Sequence, residues 1–286
     1  MPATAGPLLL GASGQVGYFL LQRLGGEAVA CARTIPAWSS PQQANWRTFD
    51  LWTSNEASTQ TQLISAGPLD ACVAWLERAG PGALRRIVAL SSMSAVHKRH
   101  SVSRVERALA DSLCASEQRL LAFASAHDIH CMILRPTLIW GAGMDRSLTP
   151  FAQAAARRGF AFVPARATGL RQPVHAEDLA VLCLALSVRD EAATGVFEAA
   201  GGERLTLAAM LACVGRSVGA RVIRVSVPSI VLAAVGRIAA AAGIDVAAAW
   251  TRAVSDQCAS TDAVWHYCDL SPRGFTPTRD SWMPPT

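Results

Sequence analysis

Leu8-Leu9-Leu10-Gly11-Ala12-Ser13-Gly14-Gln15-Val16-Gly17 is an apolar run that breaks into glycines spaced three apart, with Tyr18-Phe19-Leu20-Leu21 behind it. The pattern predicts a buried strand, a tight turn and the opening of a helix. Gly11 lets the backbone turn sharply, Gly14 leaves no side chain where a pyrophosphate would approach the amides, and Gly17 brings the helix close to the sheet. The first helical turn also offers unpaired N–H groups and a partial positive charge to an anion. Gly11, Ala12, Ser13, Gly14, Gln15, Val16 and Gly17 are therefore read as a dinucleotide turn, the alternative being a plain strand-to-helix turn.

Working outward, Ala28-Val29-Ala30-Cys31-Ala32 predicts a second strand that stops at Arg33. An acid at that point would bond the 2′-hydroxyl of NAD, whereas an arginine suits a 2′-phosphate. Arg33 thus favours NADP over NAD, unless it is only a solvated surface residue. A third strand around Arg47-Thr48-Phe49 ends at Asp50-Leu51, where Asp50 either meets an adenine amino group or serves as a turn aspartate. Leu63-Ile64-Ser65-Ala66-Gly67-Pro68 reads as a fourth strand, with Ser65, Ala66 and Gly67 small enough for the cofactor to lie on the backbone.

Residues 69–79 carry Leu69, Cys72, Val73 and Leu76 on one helical face, and Ile87-Val88-Ala89-Leu90 is a central strand ending at Ser91-Ser92-Met93-Ser94. A helix is predicted over 104–126, with Val105, Leu109, Leu113, Leu120 and Ala124 as its apolar positions, followed by strand Cys131–Leu134 and Arg135-Pro136. Strands alternating with helices specify an α/β fold, a Rossmann-type doubly wound parallel sheet whose ligands lie at the carboxyl ends of the strands. Beyond Pro136 the pattern predicts a loop at Gly141-Ala142-Gly143, a helix over 147–158, an extended Arg171–His175 and a helix from about Ala176. It continues with a last sheet strand at Gly195–Ala199, a helix near 206–218, a strand at Val222–Val227, alanine-rich helices and a proline-rich tail. The expected division is 1–140 with about 171–200 as the dinucleotide-binding domain, and 141–170 with 201–286 as a smaller substrate lobe.

With 286 residues, 51% of them hydrophobic, the chain can bury one large core or two unequal ones. The net charge of +5 comes from arginines and a single lysine, Lys98, spread along the chain, which argues against a nucleic-acid surface and leaves room for a basic pocket. The eight cysteines include no close pair, which predicts reduced thiols in a cytoplasmic protein with neither disulfides nor a metal site. No basic region precedes the first apolar run, which is too short for the core of a signal peptide. Ile230–Trp250 is interrupted by Arg237, Gly243 and Asp245, and fits a buried or dimer-forming helix pair better than a membrane span.

Taken together, Gly11–Gly17, Asp50-Leu51, Ser91-Ser92, Leu134–Gly141 and Arg171–Ala180 resemble the extended and atypical branches of the short-chain dehydrogenase/reductase superfamily, the NAD-dependent epimerase/dehydratase group. The resemblance implies a nicotinamide lying against Pro136, Thr137 and Leu138, a substrate cleft between the lobes, and a homodimer through helices 69–79 and 104–126. It also implies a phosphate contact for Arg171 in a nucleotide-sugar reading, and interior, mainly structural places for His175 and Asp178. Lys98 and Arg146 are further candidates for a substrate anion.

The departure from the family lies in the proton relay. Oxidoreductases of this group use Tyr-x-x-x-Lys, the lysine lowering the tyrosine's pKa. Taking Glu117 as the acid that follows the lysine by four, those positions fall on Leu109 and Leu113, and no other register offers the pair. Met93 also stands where many relatives have a catalytic serine or threonine. Ser92, Ser94 and His97 remain as proton donors, with His97-Lys98-Arg99-His100 read otherwise as a basic loop facing water or an acidic ligand. The sequence thus implies an NADP-dependent oxidoreductase or epimerase/dehydratase acting on a small carbonyl or sugar-derived molecule with a non-standard donor. The alternatives are a catalytically silent dinucleotide sensor or assembly subunit, and a structural Rossmann domain whose turn is idle.

Overall fold

The computed structural model describes residues 6–40, 42, 44–189, 193–226 and 246–285. The opening run folds as strand β1 (Leu8–Leu10) and helix α1 (Gln15–Leu24), followed by β2 (Val29–Ala32), β3 (Asn45–Thr48) and β4 (Gln62–Ser65). Helix α2 (Leu69–Ala79), β5 (Arg86–Leu90), the short α3 (Ser94–His97), α4 (Arg104–Ala126) and β6 (His130–Pro136) complete the first part. After β7 (Ile139–Trp140), α5 (Leu148–Arg158), β8 (Phe160–Pro164), β9 (Leu170–Arg171), β10 (Val174–His175) and α6 (Ala176–Val188), the chain returns to the main sheet with β11 (Gly195–Ala199). Then come β12 (Leu205–Thr206), α7 (Leu207–Ser217), β13 (Arg221–Val225), α8 (Val246–Val254) and α9 (Ala263–Tyr267).

Seven strands form one sheet in the order β11-β6-β5-β4-β1-β2-β3, every neighbour parallel. Leu9 pairs with both Ala30 and Ile64, so strand order reverses about β1 and a crevice opens above its carboxyl end. The apolar runs are continuous because both faces are covered. Leu9, Ile64, Val88 and Met132 face α1 and α6, while Leu8, Leu63, Ile87 and Cys131 face α2 and α4. This is the Rossmann-type α/β sheet expected from the sequence.

Helix α4 corrects one expectation. Val105 and Leu109, placed on its apolar face from spacing, are 80% and 43% exposed, and the buried face is Ala110, Ser116, Glu117, Leu120, Phe123 and Ala124. A 23-residue helix is about 35 Å long, well beyond the reach of five- to seven-residue strands. Its first turns therefore extend past the sheet and pack on α3 instead.

Outside the sheet, β8 and β13 pair in parallel and pack on α5 and α7. Asp145 sets where α5 begins, its Oδ1 accepting from the amides of Ser147, Leu148 and Thr149. The expected strand Val222–Val227 runs instead from Arg221 to Val225, with Val227 outside the described residues. Most of the apolar stretch Ile230–Trp250 also lies outside them. No helix among the described residues is long and apolar enough to cross a membrane.

Gly17 illustrates how tightly the opening turn is packed. A Cβ there would stand 2.3 Å from the Gly11 carbonyl oxygen and 2.6 Å from that of Ala12. Gly17→Ala gains up to about 1 kcal/mol of helix propensity but forces rigid backbone apart at a cost of about 1–3 kcal/mol. The variant should unfold at lower urea concentration than the parent protein.

Candidate functional site

The turn after β1 is drawn together by backbone contacts. Gly11 has φ +73°, and a Cβ on it would meet the Gly67 nitrogen at 2.4 Å. Ala66 donates its amide to the Leu10 carbonyl (2.9 Å), Gly14 to Gly11 (3.0 Å) and Tyr18 to Gly14 (2.9 Å). Gly14 itself is roomier, its added Cβ meeting only the Gly11 oxygen, at 3.2 Å. Ser13 is exposed, Ala12, Val16 and Ser65 are buried, and Gln15 Nε2 donates to the Gly141 carbonyl across to the segment beyond β7.

Beside this turn lies a cavity of about 200 Å³ lined by Gly11, Ser13, Arg33, Asp50, Leu51 and Trp52, among others. Five of these were marked from sequence at the ends of three different strands. Trp52 was missed, because one aromatic residue after a strand end carries no motif. Asp50 Oδ1 accepts the Trp52 amide (2.8 Å), so one carboxylate oxygen holds the turn.

At the mouths of β5 and β6, Glu117 is the organising group. It is buried on α4, receives Arg135 Nε at 2.9 Å, pairs with the same guanidinium through its other oxygen, and accepts the Ser91 hydroxyl. Burial opposes the Arg135 charge, but the carboxylate bonded to it wins and raises the arginine's pKa. Ser91 spends its hydroxyl on Glu117 and its amide on Leu134 (2.7 Å), so only Ser92 and Ser94 of that segment have hydroxyls directed elsewhere. Ser92 Oγ accepts the Ser94 amide at 3.1 Å. Buried Met93 donates its amide to Pro136 (2.9 Å), Thr137 donates its hydroxyl to the Gln172 carbonyl, and the Leu138 carbonyl accepts Val174 (2.9 Å).

The segment from Ser255 to Thr261 crosses this end of the sheet. His97 Nε2 lies 2.9 Å from the Cys258 carbonyl, which can only accept, so Nε2 carries the proton and Nδ1 is left as the basic nitrogen. Gln172 Oε1 accepts Ala259 N (3.2 Å), Arg204 donates to the Ala259 carbonyl (2.8 Å), and Glu198 takes the amides of Ser260 and Thr261. Arg171 is 6% exposed and gives its guanidinium to the carbonyls of Leu170, Arg252 and Ser255, at the end of α8. Burial lowers its pKa, and the three carbonyls take up donors of its guanidinium. Lys98 faces Glu106 at 3.6 Å alongside Arg252 at 2.6 Å, whereas Arg146 is exposed.

His175 and Asp178 hold structure. His175 Nδ1 accepts the Glu177 amide at the start of α6, and Asp178 receives both the amide and Nε of Arg273 at 2.8 Å. All eight cysteines are free, and no group of three or more potential metal ligands occurs among the described residues.

No protein-family model and no curated protein matches the chain. Solved structures do. Epimerase Mth375 from Methanothermobacter thermautotrophicus superposes with a TM-score of 0.71 over 98% of this chain and 91% of that one, at 14% identity. The chain has the Rossmann-type fold. MoeE5, solved with UDP-glucose and NAD, matches over 97% of this chain and 96% of its own with TM-score 0.67 and 17% identity. UDP-N-acetylglucosamine 4-epimerase from Bacillus cereus matches over 96% and 94% with TM-score 0.66 and 12% identity. What these structures share with the chain is the Rossmann-type fold.

Two predictions follow from the buried polar groups. Glu117→Ala leaves the half-buried Arg135 without its carboxylate and should cost about 1–3 kcal/mol of stability, read by urea unfolding. Burial, with Arg273 nearby, lowers the His175 pKa from 6.5 to about 4. The neutral ring's contribution is complete above pH 6.5 and is lost as the pH falls towards about 4, because the unfolded chain takes up the proton first. His175→Asn, which keeps an acceptor for the Glu177 amide, should flatten that part of the stability-pH profile.

Proposed function

We propose that the protein binds a nicotinamide dinucleotide, NADP in preference to NAD, and acts as an oxidoreductase or epimerase/dehydratase on a small carbonyl or sugar-derived molecule. The observation that carries the reading is the cavity in which Gly11, Ser13, Arg33, Asp50 and Leu51 meet at the strand-order reversal. Gly14 supports it, since a Cβ there would fill the space a pyrophosphate needs while touching little of the protein. Gly11 to Gly17 would hold the pyrophosphate, Arg33 the 2′-phosphate, Asp50 and Leu51 the adenine, and Ser65–Gly67, Ser91 and Pro136–Leu138 the rest. The bound cofactor supplies hydride transfer. NAD in MoeE5 and in a UDP-glucuronic acid 4-epimerase from Bacillus cereus supports the cofactor class.

For the proton, Ser92, Ser94 and His97 are the groups at hand. With Nε2 donating to Cys258, His97 accepts a proton at Nδ1 and can return it there only as imidazolium. In this reading 1–140 with about 171–200 holds the cofactor, and 141–170 with 201–286 shapes the substrate side. A substrate anion would meet Lys98, Arg146 or Arg171.

A second reading, a dinucleotide-binding sensor or assembly subunit without turnover, draws support from one feature. Leu109 and Leu113 occupy the relay positions, and the chain's single lysine, Lys98, faces Glu106.

Calorimetry with NADPH and NADH tests the binding reading, and no heat with either at high micromolar concentration refutes it. Arg33→Ala should weaken NADPH by about tenfold or more while leaving NADH within about twofold, since one charge-assisted phosphate contact is removed. Equal losses would overturn the NADP preference. Consumption of NADPH with small aldehydes or ketones, or conversion of UDP-sugars to epimerised or dehydrated products with NADP+ and no net cofactor change, abolished in His97→Ala or Ser92→Ala, would separate enzyme from sensor.

A further inference from the structure

The cavity beside the glycine turn includes a residue that the dinucleotide reading does not use. Trp52 is 54% exposed although it is the largest apolar side chain on the lining. At a cavity rather than on open surface, the ring offers a flat apolar face to an occupant.

The loop that carries Trp52 is held from several sides. Asp50 Oδ1 accepts the Trp52 amide, and the Asp50 carbonyl accepts the Ser54 amide at 2.9 Å. Arg78 on α2 donates to the carbonyls of Leu51 (2.7 Å) and Ser54 (3.0 Å) and to Asn55 Oδ1 (3.2 Å). Buried Trp75 on the same helix donates its indole N–H to the Glu56 carbonyl at 3.1 Å and packs edge-on against Phe49. The backbone on both sides of Trp52 is thereby fixed to the sheet and to α2. What this leaves exposed is the ring, at the same cavity as Arg33 and Asp50.

We propose that Trp52 stacks on the adenine ring of the bound dinucleotide, and that Arg78 is the positioning residue that holds its loop. The proposal rests on the dinucleotide reading given above and extends it. Asp50 reads the edge of the base, whereas the Trp52 indole would cover its face. Edge and face contacts differ in selectivity, because every purine has a π-face but not every purine has an exocyclic amine.

The test uses the full chain as wild type, Trp52→Ala, Trp52→Phe and Arg78→Ala. Calorimetry is run with NADPH, with 2′,5′-ADP as the adenosine half and with nicotinamide mononucleotide as the other half. The emission of 1,N6-etheno-NADP is followed on binding, since an indole stacked on the etheno-adenine quenches it. Trp52→Ala should weaken NADPH and 2′,5′-ADP by about tenfold and leave nicotinamide mononucleotide unchanged. Trp52→Phe should retain most of the affinity, and the quench seen on wild type should disappear in Trp52→Ala. Arg78→Ala should weaken 2′,5′-ADP less than Trp52→Ala does, again sparing the mononucleotide.

Wild type that binds NADPH, with Trp52→Ala binding 2′,5′-ADP within about twofold of it, overturns the stacking role alone. Persistence of the quench without Trp52 does the same. Failure of wild type to bind NADPH or NADH overturns the dinucleotide reading and this proposal with it. Unfolding curves for each variant separate lost stacking from lost structure.

Discussion

Three stretches of backbone meet where the sheet reverses its strand order, and that contact sets the geometry of everything around it. Gly11 lies against Ala66 and Gly67 at the end of β4, and Gly17 lies against the carbonyls of Gly11 and Ala12. No side chain fits at Gly11 or Gly17, so the residue type is dictated by steric exclusion. Because β1 pairs with β2 on one side and β4 on the other, the chain has to leave in opposite directions from these two neighbours. The crevice this opens is where Arg33 and Asp50 converge from β2 and β3, and α1 aims its amino end at the same place.

A second constraint works in the opposite way, through a buried charge. Glu117 ties the middle of α4 to Arg135 on β6 and to Ser91 at the end of β5. A carboxylate removed from water needs such partners, and the two contacts together decide how α4 sits on the sheet. Leu109 and Leu113 lie on the amino-terminal side of this anchor on the same helix. Its overhanging first turns, with Val105 and Leu109 exposed, leave that region free of the packing demands that govern residues from Ala110 onward.

Polar contacts from several parts of the chain hold the segment from Ser255 to Thr261. His97, Gln172, Glu198 and Arg204 each hold it by hydrogen bonds from different elements. Arg171, with its guanidinium on backbone carbonyls, supports the same segment from below. His97 and Arg171, both marked from the sequence, are in this way also structural.

The sheet, its parallel sense and the glycine turn were legible in the sequence because local rules govern them: continuous apolar runs for strands buried on both faces, glycines where backbone meets backbone, and helical spacing in residues 69–79. Glu117 served in the sequence only as the marker from which Leu109 and Leu113 were counted, and its partners could not be read there. Arg135 lies 18 residues away in the chain, and Cys258 lies 161 residues from His97, so nothing in local spacing predicts either contact. The burial of α4 was misread at Val105 and Leu109 because periodicity reports that a helix has a face and says nothing of how far the sheet beneath it extends. Trp52 was missed because a single residue has no period. By itself the sequence determined where backbone must approach backbone; only the tertiary structure decided which side chains remain free for a ligand, since that depends on partners distant in the chain.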